Sequence, residues 1–286
     1  MFKKIIVFLE MIKFSHTIFA LPFALAGALL AARGLPSPEK VFWIVAAMVG
    51  ARTAAMGLNR LIDAEIDANN PRTSGRAIPA GLIGKGATFS FIVLSLVLLL
   101  AAAYRLNPLC LQLSPLAVLF LVLYSYCKRF TSLAHVVLGI CLAAAPMGAW
   151  IAIRGSIDLP ALILGGAVLF WVAGFDILYA LQDLEFDRKA GLHSIPVALG
   201  VAGSLWAARM FHLIMLGLLL WLLVSLGLGS FFMIGILIAA GMLLYEHWLL
   251  KDGNLDKLDA AFFNMNGYIS VVILICTAAE VLARPL

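Results

Sequence analysis

ALILGGAVLFWVAGFDILYALQDLEFD, residues 161–187, decides the class of fold. From Ala161 to Leu181 the stretch carries a single charge, Asp176. Coiled as a helix at about 1.5 Å per residue, it is long enough to cross the roughly 30 Å hydrocarbon layer of a bilayer. Directly after it come Asp183, Glu185 and Asp187. A helix solvated by lipid therefore delivers carboxylates to one membrane face.

The rest of the chain has the same character. Of 286 residues, 64% are hydrophobic and 12% charged, with a mean hydropathy of +1.06. Ordinary soluble domains carry about 25% charged residues, so a water-soluble fold is excluded. Breaking the apolar runs at charges, Gly/Pro clusters and polar turns predicts an all-α bundle of nine transmembrane helices in a single domain, 1–286. Their apolar parts are Thr17–Ala32, Val41–Leu58, Ala87–Tyr104, Leu109–Tyr124, Leu133–Ile153, Ala161–Leu181, Val201–Leu226, Phe231–Leu250 and Ala261–Leu282. The N-terminal lysines and apolar stretch have no small-residue cleavage site behind them, so the stretch reads as the first span. Cys110, Cys127, Cys141 and Cys276 form no C-x-x-C or zinc spacing and read as small buried hydrophobes.

An odd number of spans puts the termini on opposite sides. Thirteen basic residues then fall on the N-terminal side and five on the other, with Arg52 and Arg209 inside spans. Positive loops stay in the cytoplasm, which places the N-terminus inside. Two inside loops, Arg60–Gly86 and Gln182–Gly200, are long and rich in Asp and Arg. With no soluble domain to host chemistry, an active site has to form from these loops and the adjoining helix ends.

Both loops open on the same pattern: Asn59-x-x-x-Asp63-x-x-x-Asp67 in the first, Tyr179-x-x-x-Asp183-x-x-x-Asp187 in the second. In a helix each trio shares one face. The downstream stretches match as well, Gly75 to Ala80 against Gly191 to Ala198. This predicts an internal pseudo-repeat, with one motif at 59–81 and the other at 179–200. Like charges one turn apart near a membrane are costly without a cation. Oxygen donors with no neighbouring His or Cys suit Mg²⁺, whose shell is commonly completed by substrate phosphates. Arg72, Arg76, Lys128, Arg129, Arg188 and Lys189 lie on the same face and predict a diphosphate ligand.

Other polar residues carry weaker patterns. Asp176 lies two turns deeper than Asp183 on the same face, placed to receive a proton, hydrogen-bond a phenol, or pair with Arg52 or Arg209; a substrate-pocket role is favoured. His16, at the entrance of the first span, is a lesser pocket candidate. His135, His212 and His247 have no partner pattern, and Glu246 with His247 makes no metal motif. Asp252, Asp256 and Asp259 read as solvated.

These motifs, with Tyr124-x-x-x-Lys128-Arg129-x-Thr131, Arg72-Thr73, Gly191 and Ser194, resemble the UbiA superfamily of intramembrane prenyltransferases over essentially the whole chain. The resemblance implies nine helices around a central cavity and Mg²⁺-dependent transfer of a prenyl chain from its diphosphate to an aromatic ring. By position it implies that Asn59, Asp63, Asp67, Asp183 and Asp187 hold the metal-diphosphate, with Arg72, Lys128 and Arg129 on phosphate or an acceptor carboxylate. Arg76, Tyr124, Tyr179 and Ser194 join the substrate-binding set with Asp176 and His16. Many quinone-pathway members have Asn-Asp where this chain has Asn59-Arg60, and Arg-Pro where it has Arg76-Ala77. The implied acceptor is 4-hydroxybenzoate or a dihydroxynaphthoate. The implied location is the bacterial inner membrane, multi-pass, with the site facing the cytoplasm; partners are the two substrates and lipid, with no nucleic acid, and the sequence sets no oligomeric state. A secondary transporter of an anionic solute is the non-enzymatic alternative. Acids clustered on one face at metal-binding spacing argue against it, and a purely structural scaffold leaves the four aspartates unexplained.

Overall fold

The computed structural model describes residues 7–8, 10–11, 19–250 and 265–283. His16, Asp252, Asp256 and Asp259 lie outside the described residues, as does the start of the predicted first span. Among the described residues the chain is all-helical. Nine helices correspond to the predicted spans: α1 (Leu21–Ala32), α2 (Pro38–Ile62), α4 (Lys85–Leu106), α5 (Pro108–Cys127), α6 (Ala134–Arg154), α7 (Leu159–Ala180), α9 (Ile195–Leu226), α10 (Ser230–Leu249) and α11 (Asn266–Ala283). All but α1, described over 12 residues, are long and apolar enough to cross a membrane. The protein is thus a multi-pass membrane protein. Two short α-helices, α3 (Ala64–Asn69) and α8 (Leu184–Lys189), lie in the long polar loops, the second preceded by a 3₁₀ turn at Leu181–Asp183.

Helix ends follow local chemistry. Ser37 and Asn107 accept hydrogen bonds from the Lys40 and Cys110 amides, with Pro38 and Pro108 behind them at positions where the missing N–H costs nothing. Gly155 (φ 73°) ends α6 in the left-handed conformation that glycine adopts without strain. Away from the motif loops, Lys40 Nζ reaches the Leu106 and Ala152 carbonyls at 2.9 and 2.6 Å. One cation so satisfies the C-terminal ends of α4 and α6.

Helix α7 is the most buried of the long helices and packs between α6 and α9. Trp171, Phe23 and Phe175 form an aromatic cluster at its centre, and Trp171 Nε1 donates to Asn266 Oδ1 at 2.8 Å. Helices α2, α4 and α5 pack together on the far side of α6. Backbones approach closely where residues are small, as is usual when lipid supplies no hydrophobic drive between helices. A Cβ on Gly139 would lie 2.5 Å from the Leu169 carbonyl oxygen, across the α6–α7 crossing. Gly139→Val is expected to lower stability by about 2 kcal/mol, the scale of overpacking against backbone, read as a lower unfolding temperature in detergent. An unchanged midpoint would show that this crossing is not tight.

Two expectations need correction. The second motif loop does not run unbroken to Gly200, because α9 already starts at Ile195 and kinks at Gly200 (φ 67°, ψ −175°). Nor does either aspartate trio ride one continuous helix. The helical path is interrupted at Asp63 (φ −90°, ψ 7°) and at Asp183 (φ −99°, ψ 1°), after which α3 and α8 resume it. The break falls on the first aspartate of both motifs. The cysteines are free; Cys127 is buried and the other three are partly so.

Candidate active site

The long helices surround a cavity of about 820 Å³ whose walls are mostly apolar. At the motif end its lining includes Asn59, Asp63, Asp67, Arg72, Arg76, Lys128, Tyr179, Asp183 and Asp187; Tyr124 and Asp176 line it as well. The two motifs, 120 residues apart in the sequence, thus converge on one space.

Each aspartate has a base. Arg72 Nε is 2.8 Å from Asp183 Oδ1 and its Nη2 bonds Oδ2, a two-pronged pairing that planar guanidinium favours. Arg76 Nη1 is 2.6 Å from Asp67, Arg129 Nη1 is 2.9 Å from Asp63, and Lys128 Nζ is 3.4 Å from Asp187. Two of the contacts join what the chain separates: Arg72 and Asn70, from the first motif, hold Asp183 of the second, with Asn70 Nδ2 at 3.0 Å. Arg72 also donates to the Tyr179 hydroxyl at 3.3 Å. Asn59 Nδ2 donates to Asp63 Oδ2 at 2.8 Å. Burial pushes the Asp63 carboxyl above the usual carboxylate range, with the Arg129 charge opposing the shift. A cation arriving there competes with the proton and binds more weakly as pH falls. Burial works to lower the Arg72 pKa, but the hydrogen bond and charge of Asp183 outweigh it and leave the group raised.

Hard carboxylate oxygens at the mouth fit Mg²⁺. One of them, Asp67 Oδ2, is buried with no hydrogen-bond partner among the described residues. No three His, Cys, Asp or Glu side chains converge tightly enough among those residues to hold an ion unaided. An ion here would therefore need further ligands, such as the phosphate oxygens that commonly complete the Mg²⁺ shell.

Not every predicted residue reaches the cavity. Ser194 is 1% exposed, and its Oγ caps α9 by accepting from the Val197 amide at 3.2 Å. Serine just before Ile195-Pro196 is an N-cap signature that could have been read from the sequence. Arg129 stands behind Asp63 and also donates to the Ser125 and Ile62 carbonyls at 2.7 and 3.0 Å. Arg188 faces Glu185 on the exposed side of α8, and Lys189 is exposed there too.

Three lining residues were not among the predicted site residues. Arg60, 8% exposed, adds a fifth base and donates to Asn59 Oδ1 at 3.3 Å. Arg52 lines the cavity within α2, with a buried Nε that has no partner among the described residues. His135, wholly buried, lies 2.7 Å from Asp176. Asp176 is therefore bound to a histidine, not to Arg52 or Arg209; Arg209 stacks over the Trp206 ring. His212 and His247 bond each other at 2.9 Å, away from the cavity.

The sequence model of the UbiA prenyltransferase family matches residues 20–268. Among curated relatives, the 4-hydroxybenzoate octaprenyltransferase of Aliivibrio fischeri (strain MJ11) is 30% identical over 258 residues, 88% of each chain. The protein of that name from Vibrio cholerae serotype O1 (strain O395) is 32% identical over 249 residues, 86% of each chain. In three dimensions the chain is similar to a UbiA homolog from Aeropyrum pernix K1 (TM-score 0.83, 31% identity, 94% of this chain and 98% of that one). A UbiA homolog from Archaeoglobus fulgidus bound to DMAPP and Mg²⁺ shares the fold (TM-score 0.73, 19% identity, 97% and 99% covered).

Proposed function

Since the chain belongs to the UbiA prenyltransferase family and is a prenyl-transferring enzyme, we propose that it moves a polyprenyl chain from its diphosphate to the ring of an aromatic acid, 4-hydroxybenzoate, in respiratory quinone synthesis. The observation that carries the reading is the convergence of both aspartate motifs, with Arg72, Arg76 and Lys128, on one end of an apolar cavity. The relatives named 4-hydroxybenzoate octaprenyltransferase, at 30 and 32% identity, support the acceptor. Arg52, a cation within the same cavity, supports an acceptor bearing a carboxylate.

Asp63, Asp67, Asp183 and Asp187 would hold Mg²⁺, which when bound neutralises charge building on the departing diphosphate. The chain's own side chains do the rest. Arg72, Arg76 and Lys128 bind phosphate oxygens at the mouth, with Asn59 and Tyr179 beside them, and direct the allylic carbon into the cavity. Arg129 keeps Asp63 in place. Because Arg72, Arg76, Lys128 and Arg129 each already face an aspartate, the four carboxylates are paired before substrate enters. The apolar wall excludes water from the allylic cation left when the C–O bond breaks, and it accommodates the isoprenoid tail. Arg52 holds the acceptor carboxylate, and a ring carbon attacks the cation. The excess of positive residues in the motif loops supports a mouth on the cytoplasmic face of the bacterial inner membrane, with the N-terminus inside. The coincident helix breaks at Asp63 and Asp183 support a single domain, 1–286, made by internal duplication.

Membranes containing the protein, a labelled polyprenyl diphosphate and either 4-hydroxybenzoate or 1,4-dihydroxy-6-naphthoate test this by mass spectrometry of extracted lipid. The expected product is prenylated 4-hydroxybenzoate, formed with Mg²⁺, lost to background with EDTA and restored by adding Mg²⁺ back. Product with the naphthoate alone would reassign the acceptor. Binding of the diphosphate without either product would rule out both acids.

A further inference from the structure

His135 and Asp176 form a pair that the four-aspartate site leaves without a task. His135 sits in the first turn of α6, wholly buried, while the Asp176 carboxylate is 19% exposed and lines the cavity from α7. Asp176 Oδ2 lies 2.7 Å from His135 Nδ1. The other ring nitrogen, Nε2, is 3.4 Å from the Ile195 amide. An amide N–H can only donate, so Nε2 accepts and the ring proton is on Nδ1, which donates to Asp176. The Ile195 amide belongs to the unpaired set at the start of α9, which ties the tautomer to the second motif's own helix. With Oδ2 occupied, Oδ1 accepts nothing among the described residues.

Depth along the helices gives the pair its meaning. Asp176 precedes Asp183 by two turns, about 10 Å along α7. Arg52 precedes Asp63 by three, about 16 Å along α2, which also runs toward the motif end. The difference, about 6 Å, is close to the distance from hydroxyl to carboxylate across a para-hydroxy aromatic acid. Such an acceptor, its carboxylate on Arg52, brings its hydroxyl to Asp176 and the neighbouring ring carbon toward the diphosphate.

We propose that Asp176 takes the hydroxyl proton of the aromatic acceptor and that His135 is the positioning residue that holds its carboxylate aimed; this rests on the function proposed above. The hydroxyl donates to Oδ1. As the allylic C–O bond breaks and the ring carbon beside the hydroxyl bonds to the prenyl carbon, the hydroxyl proton passes to Asp176 and leaves a neutral dienone. The hydrogen on that ring carbon then leaves as a proton with the diphosphate, and the oxygen recovers its proton from Asp176. The acceptor has exchanged one C–H for one C–C bond. A carboxylate suits the task because phenol acidity rises steeply as the ring gives up electrons, and a dry cavity holds no water to accept the proton.

The test uses the full chain in membranes with Mg²⁺ and a polyprenyl diphosphate. It compares 4-hydroxybenzoate with 3-fluoro-4-hydroxybenzoate, whose hydroxyl is more acidic. Wild-type turnover is established first; no product with either acid would overturn the proposed function, and this inference with it. Given turnover, Asp176→Asn is expected to lower kcat on 4-hydroxybenzoate by about 10²- to 10⁴-fold, the usual weight of a general base, with KM for the diphosphate unchanged. On the fluorinated acid the loss shrinks at least tenfold, because an already acidic hydroxyl needs less help. His135→Leu loses about 10- to 100-fold, as removal of an orienting partner does, and His135→Asn, which still presents an N–H, recovers most of it. Should His135→Leu fail to fold, Asp176→Asn alone decides. An equal loss on both acids, or a diphosphate KM that rises in step, would show that Asp176 serves the fold or the metal end and would overturn the assignment.

Discussion

Asp183→Ala is expected to reduce prenyl transfer by about 10³-fold or more while the helical bundle stays folded in the membrane. Asp183 is where the two motifs meet, accepting from Asn70 and from two nitrogens of Arg72. Removing it takes a carboxylate from the proposed metal-diphosphate set and releases Arg72, the base that bridges the motifs. The stability cost is moderate, since the Arg72 side chain is 32% exposed and water screens the charge left behind. Product formation by mass spectrometry, alongside an unfolding midpoint in detergent, separates the two effects. Asp183→Asn keeps the shape and lacks the charge, so it should fail nearly as badly. Turnover within threefold of wild type in either variant would remove Asp183 from the machinery.

Arg52→Ala should lower kcat/KM for 4-hydroxybenzoate by about 10²- to 10³-fold, the range seen when one partner of a buried charge pair is removed. Arg52 lies within a membrane-spanning helix and lines the cavity, and its Nε is unpartnered among the described residues. Half-buried and about three turns from Asp63 along α2, Arg52 is the cation that the proposed reaction assigns to an anion other than the diphosphate. The loss is therefore expected on the acceptor side, with KM for the polyprenyl diphosphate unchanged. Methyl 4-hydroxybenzoate, which has no carboxylate charge, should react at similar rates with wild type and variant. Thermal stability should not fall, because the substitution removes a cation whose Nε is buried without a partner among the described residues. An equal loss with acid and ester would return Arg52 to the diphosphate or to the fold.

Legibility in the sequence tracks the range of the interaction. Asp63, Asp67, Asp183 and Asp187 were readable because four-residue spacing in two matching registers is a local pattern. Their assignment to bases was not: Arg72 reaches Asp183 from 111 residues away, and Lys128 reaches Asp187 from 59. Arg188 and Lys189 looked equivalent to Arg72 by position in a basic loop, yet α8 turns them outward beside Glu185. Ser194 was legible in principle as a helix cap and was instead grouped with the site.

Membrane class, helix positions and the acidic registers follow from the sequence by itself, since each is a sum over neighbouring residues. Hydrophobicity along about 20 residues decides whether a segment spans, and spacing decides what shares a face. Which face then meets which neighbour is another matter. A helix that is apolar all round gives no amphipathic stripe from which to read its rotation. Only packing in three dimensions, at close crossings such as Gly139 on Leu169, sets the rotations of α6 and α7 that bring His135 against Asp176. The same packing turned Arg52 into the cavity and left Ser194 to cap α9.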